Sequence, residues 1–250
     1  MPMSSYDKRP THCLNCGAEV MGSYCHVCGQ PVGTGRLSMR QVASDGVQSL
    51  LRLNRGFLYT VGNLLIRPWK VIADYIHGKR VRYTAPVALL VLLAFFSVLS
   101  DRWFSPEVVK SATAETDVFL RIMTEAPALV YLLVMLPIIL PLRLVYRRYG
   151  GRRFNTAEYA VAAIYMMCPV LTVGILMTPF QGLISDTVEL AITPLYNVVL
   201  GIVALLHAFP TGSALGKTLR IIGFLLLTAL TYCLIIIILA VIIVITTLSS

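Results

Sequence analysis

The chain has 250 residues, 57% of them hydrophobic and only 13% charged, with a formal net charge of +9 and a mean hydropathy of +0.76. A water-soluble domain carries roughly a quarter charged residues, so a soluble globular fold is excluded and an all-α polytopic membrane protein is expected. In such a protein the positive excess is an orientation signal to be read loop by loop, not a nucleic-acid footprint.

The first twelve residues, MPMSSYDKRPTH, contain no apolar stretch. Without a signal peptide, the amino-terminal segment is expected to stay in the cytoplasm. Thiols there are kept reduced, and clustered cysteines read as metal ligands rather than disulfides. Cys13, Cys16, Cys25 and Cys28 follow the spacing C-x2-C-x8-C-x2-C, and each pair is followed by glycine, Gly17 and Gly29. Four thiolates about 2.3 Å from a tetrahedral Zn²⁺ fill its coordination shell and leave no position for water or substrate. The expectation is one structural Zn²⁺ in a small ribbon over residues 1–35. Rubredoxin-type iron is the rival occupant, and zinc is the commoner one in a short ribbon. The loop GAEVMGSY is too short to bury a core, so metal binding has to supply most of the ribbon's folding energy. His12 and His26 are given no ligand role. Between Cys13 and Cys28 the charged residue is Glu19, with no Lys or Arg, which argues against nucleic acid as a partner. The ribbon reads as a rigid knob that docks on a protein partner or on this protein's own cytoplasmic face.

Residues 36–82 form an amphipathic juxtamembrane connector. From Met39, the residues Val42, Ala43, Val47, Leu50 and Leu51 recur at helical spacing, with Ser38 as cap and Gly56 as stop. A second run places Phe57, Val61, Leu64, Leu65, Trp69, Ile72 and Ile76 on one stripe, with a helix restart at Pro68 and a stop at Gly78. Arg67, Lys70 and Asp74 make it a poor membrane span. It fits a helix lying in the headgroup plane, or one packed across the ends of a bundle. In the first case Arg67, Lys70, Trp69, Lys79, Arg80 and Arg82 are interface or headgroup residues.

The membrane domain, residues 83–250, holds five apolar blocks near the roughly 20 residues a span requires: 83–100, 126–146, 157–180, 184–208 and 221–248. Pro137 and Pro141 are expected to kink the second. Basic and acidic connections alternate. Lys79, Arg80 and Arg82 precede the first span, Arg143, Arg147, Arg148, Arg152 and Arg153 join the second to the third, and Lys217 and Arg220 precede the fifth. The other two connections are acidic. The pattern places the amino terminus inside and the carboxyl terminus outside.

Ionisable residues inside spans are functional candidates by default. Here they are Glu158, which headgroup contact or pairing with Arg152 or Arg153 would satisfy, and His207, joined by the polar Asn197 and Gln181. Cys168 and Cys233 read as packed small residues. There is no H-E-x-x-H, G-x-S-x-G, Walker or dinucleotide motif, and TGSALGK reads as a turn at the bilayer surface, so no enzyme is expected.

Several motifs resemble a bacterial family of unknown function with an N-terminal zinc ribbon and a multi-span membrane domain. They are C-x-N-C-G at Cys13, Y-C-x-x-C-G-Q from Tyr24, R-G-F-x-x-T-V-x-x-L-x-x-R-P from Arg55, and G-K-R-x-R-Y-x-x-P from Gly78. AEYAVAAIY, starting at Ala157, is similar to that family's middle span, and the bundle is distantly similar to Yip-type membrane proteins. The resemblance implies architecture and no activity. The expected function is a non-enzymatic membrane protein whose ribbon recruits or orients a protein partner at the lipid surface; the alternative is a transporter or channel component handling a small solute or lipid.

Overall fold

A computed structural model describes residues 11–32, 34, 36–51, 56–104, 127–146, 154–180 and 213–249, with isolated positions between 195 and 206. The described residues are mostly helical and include no strands. The α-helices whose bounds lie among the described residues are α1 (Met39–Leu51), α2 (Gly56–Ile66), α3 (Pro68–Ile76), α4 (Pro86–Phe104), α5 (Pro127–Val145), α6 (Thr156–Met177) and α7 (Ala214–Ser249).

The connector forms from local signals. Ser38 Oγ accepts the Gln41 N–H at 3.2 Å and opens α1. Pro68 occupies the first turn of α3, where its missing N–H costs nothing. Gly78, at φ +98, ends α3. Its N–H bonds the Tyr75 carbonyl at 3.1 Å while Lys79 N–H reaches back to Asp74 at 2.9 Å. This is a Schellman closure, which needs a left-handed residue where glycine stands.

The connector's apolar stripe packs against protein. Leu64, Ile72 and Ile76 enter the same core as Leu89 and Leu90 of α4 and Val161 and Tyr165 of α6, with Phe57 and Val61 packed against it. Trp69 packs on a second cluster that contains Leu142, Tyr146 and Phe224. Of the two readings open from periodicity, packing across the bundle is the observed one. α1 departs further from expectation. Met39, Ala43 and Val47 are exposed, while Val42 and Gly46 are buried. At Gly46 an added Cβ would lie 3.0 Å from Val87 Cβ of α4. A small residue lets the two backbones approach, and that close approach outweighs the wider apolar stripe in choosing the buried face.

α6 is the central element, packed against α1 through α5, with α7 lying against α5. Among the described residues, three helices are long and apolar enough to cross a membrane: Pro86–Phe104, Thr156–Phe180 and Ala214–Ile235. The last is little buried, and Leu219, Ile222, Leu226 and Leu230 are exposed along it. Such exposure suits a hydrocarbon surround. The second expected block coincides with α5, which runs through Pro137 and Pro141 as one helical element and is not among those three. The fourth block lies almost entirely outside the described residues. Among the described residues three candidate spans are observed, where five were expected over the whole chain. The fifth expected block starts earlier than read, at Ala214, because Ser213 Oγ takes the Gly216 N–H at 3.2 Å. TGSALGK is therefore partly the first turn of a helix. Buried Cys168 packs in the core as expected, whereas Cys233 is exposed.

Candidate metal centre and its dock

The ribbon is one knuckle built twice. Cys13 N–H bonds the Ala18 carbonyl and Gly17 N–H the Cys13 carbonyl, each at 2.8 Å; twelve residues on, Cys25 and Gly29 repeat both bonds at 2.8 Å. The isolated bridges His12 to Glu19 and Tyr24 to Pro31 repeat likewise. Gly17 and Gly29 stand at φ +77 and +72, where a side chain would be strained. Each left-handed glycine turns the chain sharply enough to bring its two sulfurs to one point.

The four sulfurs lie within 4.8 Å of one another, with Cys13 to Cys28 and Cys16 to Cys25 each at 3.5 Å. A tetrahedral metal shell of radius about 2.3 Å has edges of about 3.8 Å, so the donor set fits a metal ion with little adjustment. The Cys25 thiol is lowered to about 6, chiefly because the Cys28 N–H donates to its sulfur. At Cys16 the N–H of Ala18 acts downward, but burial and the three neighbouring sulfurs together push it up to about 12. Thiolates this close need a cation among them to coexist. With all four ligands from protein, the chemistry on offer is structural. Neither His12 nor His26 joins the group.

Sequence reasoning did not find what holds this knob. Gln30, which follows the second knuckle, is 1% exposed. Its Nε2 donates to the Gly78 carbonyl at 2.8 Å and to Thr34 Oγ at 3.0 Å, and its Oε1 accepts the Arg80 N–H at 3.2 Å. One amide thus satisfies a donor and an acceptor of the turn that follows α3. Leu14 of the first knuckle sits over the same turn, 2.8 Å from where a Cβ on Gly78 would be. Gly78 is accordingly required twice, by its φ and by the ribbon above it. The turn is held from below: Thr60 Oγ accepts the Thr84 N–H at 2.9 Å, and the Tyr165 hydroxyl donates to the Thr84 carbonyl at 2.7 Å.

The chain leaving the ribbon is also fixed. Leu37 is buried in the core, and its carbonyl accepts from Asn155 Nδ2 at 2.6 Å. Arg36 pairs with Glu158 at 3.2 Å. Glu158, 0% exposed, takes the Asn155 N–H at 2.7 Å while Asn155 Oδ1 accepts the Glu158 N–H at 2.9 Å. That reciprocal pair caps α6. One partner of Glu158 is therefore Arg36, and Arg152 and Arg153 lie outside the described residues. The spacing N-x-x-E was a legible capping signal; the Arg36 contact, across 122 positions, had none.

The expected interface residues separate. Arg67, Lys70 and Arg82 are exposed, and Lys79 pairs with Asp74 at 2.9 Å. Trp69 is half-buried against protein. Arg80 is turned inward, 8% exposed, with its guanidinium 5.8 Å from the Tyr75 ring centroid. Asn197, His207 and Gln181 lie outside the described residues.

Comparison with known proteins adds one finding. Residues 54–98 match the family described as "Protein of unknown function (DUF3667)"; the match covers α2, α3, the ribbon's dock at Gly78 to Arg80, and most of α4. It does not extend to the four cysteines, and no Yip-type likeness accompanies it. No curated protein and no solved structure matches the chain. The chain is thus similar, over under a fifth of its length, to a family of unknown function.

Proposed function

We propose that this is a non-enzymatic, five-span protein of a bacterial inner membrane whose cytoplasmic ribbon, folded on one structural Zn²⁺, recruits or orients a protein partner at the membrane. The observation that carries this reading is the dock of Gln30 on Gly78 and Arg80. A ribbon on a loose tether captures a partner but does not orient it; a ribbon fixed at a buried backbone turn does both. Away from that dock, Met21 is 90% exposed, and Val27 is exposed on the second knuckle. Apolar side chains at the outer end of a metal-stapled knob suit a protein contact.

The test is a photo-activatable side chain at Met21 in the full-length protein in membranes. A discrete adduct to one protein is expected, and it should vanish with Gln30→Ala although the ribbon keeps its metal. An adduct unchanged by Gln30→Ala would show that orientation plays no part, and only lipid adducts would sink the partner.

The orientation follows the alternating loop charges. A reporter active only outside the cytoplasm is expected to work when fused after Ser250 or within residues 111–116, and to fail at Gly150. Activity at Gly150 would reverse the topology.

A further inference from the structure

Between the ribbon and α1 lies an open groove of about 560 Å³, within the range of ligand sites. One wall is the second knuckle. The other is a single face of α1 carrying Gln41, Asp45 and Gln48 at i, i+4 and i+7. The floor is the turn before α4, with Arg80 and Tyr83. Among the described residues that line it, Asp45 and Arg80 carry ionised side chains of opposite sign, and Cys28 belongs to the four-thiol cluster. We propose that this groove binds a phosphoethanolamine zwitterion, with its ammonium on the α1 wall and its phosphate toward Arg80.

The α1 wall is built from acceptors. A primary ammonium has three N–H donors, and Gln41, Asp45 and Gln48 offer two amide oxygens and a carboxylate on one helix face. The Gln48 NH₂ is already engaged with Ser44 Oγ at 3.3 Å, which leaves its carbonyl oxygen for the groove. Burial raises the Asp45 carboxyl while the Arg80 charge draws it down; a bound cation would favour its ionised form. Tyr24 stands at the rim, an aromatic face beside a cation site. On the floor, a guanidinium held over Tyr75 is preorganised for an oxyanion. The groove adjoins Tyr83 and Ala85, which lead directly into α4, a candidate span. That position is where phosphoamine headgroups are concentrated if α4 crosses the bilayer. The ribbon forms one wall, so the site exists only while the ribbon is docked.

The test uses full-length, metal-loaded protein in detergent, offered equal amounts of phosphatidylethanolamine, phosphatidylglycerol and phosphatidylcholine, with bound lipids counted by native mass spectrometry. Phosphatidylethanolamine should be retained about tenfold over the other two, the worth of one charge-assisted hydrogen bond. Phosphatidylglycerol lacks the cation, and phosphatidylcholine lacks its N–H donors. Asp45→Asn should erase the preference with metal content and monodispersity unchanged, and Gln48→Leu should weaken it. Soluble glycerophosphoethanolamine separates the sources. If it displaces the lipid, the headgroup carries the affinity; if it binds while the lipid does not, the ligand is a soluble zwitterion, and the assigned chemistry holds in both cases. Equal retention of all three lipids with no binding of glycerophosphoethanolamine overturns the proposal. So does an Asp45→Asn protein that keeps the preference. The Met21 adduct does not depend on Asp45, so the groove and the partner reading fail separately.

Discussion

Removing the metal from the full-length protein under reducing conditions should unfold residues 11–32 and release them from the bundle, while α6 stays intact. Within residues 11–32 the buried positions are Cys13, Cys25 and Gln30, two ligands and the docking amide, with no apolar core beneath them. Metal binding at four thiolates supplies on the order of 10–16 kcal/mol, and nothing else in the ribbon approaches it. Hydrogen exchange reads the result residue by residue. The amides of Cys13, Gly17, Cys25 and Gly29, all hydrogen-bonded, should lose protection. The Arg80 amide, bonded to Gln30 Oε1, should lose it in the same step although it lies outside the ribbon. Amides in the buried part of α6, from Val161 to Leu171, should be unchanged. Cys25→Ser should reproduce the pattern, and metal analysis of the untreated protein should give about one zinc per chain. Ribbon amides that stay protected without metal would contradict the account. Loss in the ribbon with a protected Arg80 amide would contradict the dock.

Sequence alone disclosed the features set by neighbours in the chain. The cysteine spacing named the four sulfurs that converge, Ser38 and Pro68 opened helices where expected, and Gly78 closed one. Each is a rule acting over a few residues. Contacts between distant segments were invisible for the same reason: Gln30 looked like the polar tail of a cysteine motif, and only the folded chain shows it 48 and 50 positions from its backbone partners. Periodicity also misjudged α1, since it reports which face is apolar and not which face can approach a neighbour closely. Gly46 decided that question through its missing side chain. The connector's stripe was correctly seen as one that must be buried, but a stripe is equally satisfied by lipid and by helices. Its burial against α4 and α6 depends on packing that no window of sequence contains.

Arg36 and Glu158 tie the exit of the ribbon to the head of the central helix, and the two residues should not be equally replaceable. Glu158 is fully buried, whereas the Arg36 side chain remains 39% exposed. Arg36→Ala leaves a carboxylate in the interior with that countercharge gone, and breaking a buried pair from one side costs about 3–5 kcal/mol. Partial exposure of the guanidinium places this pair at or below the lower end, about 2–3 kcal/mol. Glu158→Gln removes the buried charge instead. Its amide oxygen can still accept the Asn155 N–H, since glutamine also serves in a capping box, and Arg36 can turn to water. About 1 kcal/mol is expected for that change. The double variant should then be more stable than Arg36→Ala alone, because the buried charge that lost its Arg36 countercharge in the first substitution is removed by the second. A double-mutant cycle on thermal unfolding of the full-length protein in detergent measures this directly, with a coupling above about 0.5 kcal/mol as the signature of contact. Additive effects, or an Arg36→Ala protein as stable as the parent, would mean that the pair does not anchor the ribbon's exit. The linker after the ribbon would then rely on Leu37 and Asn155.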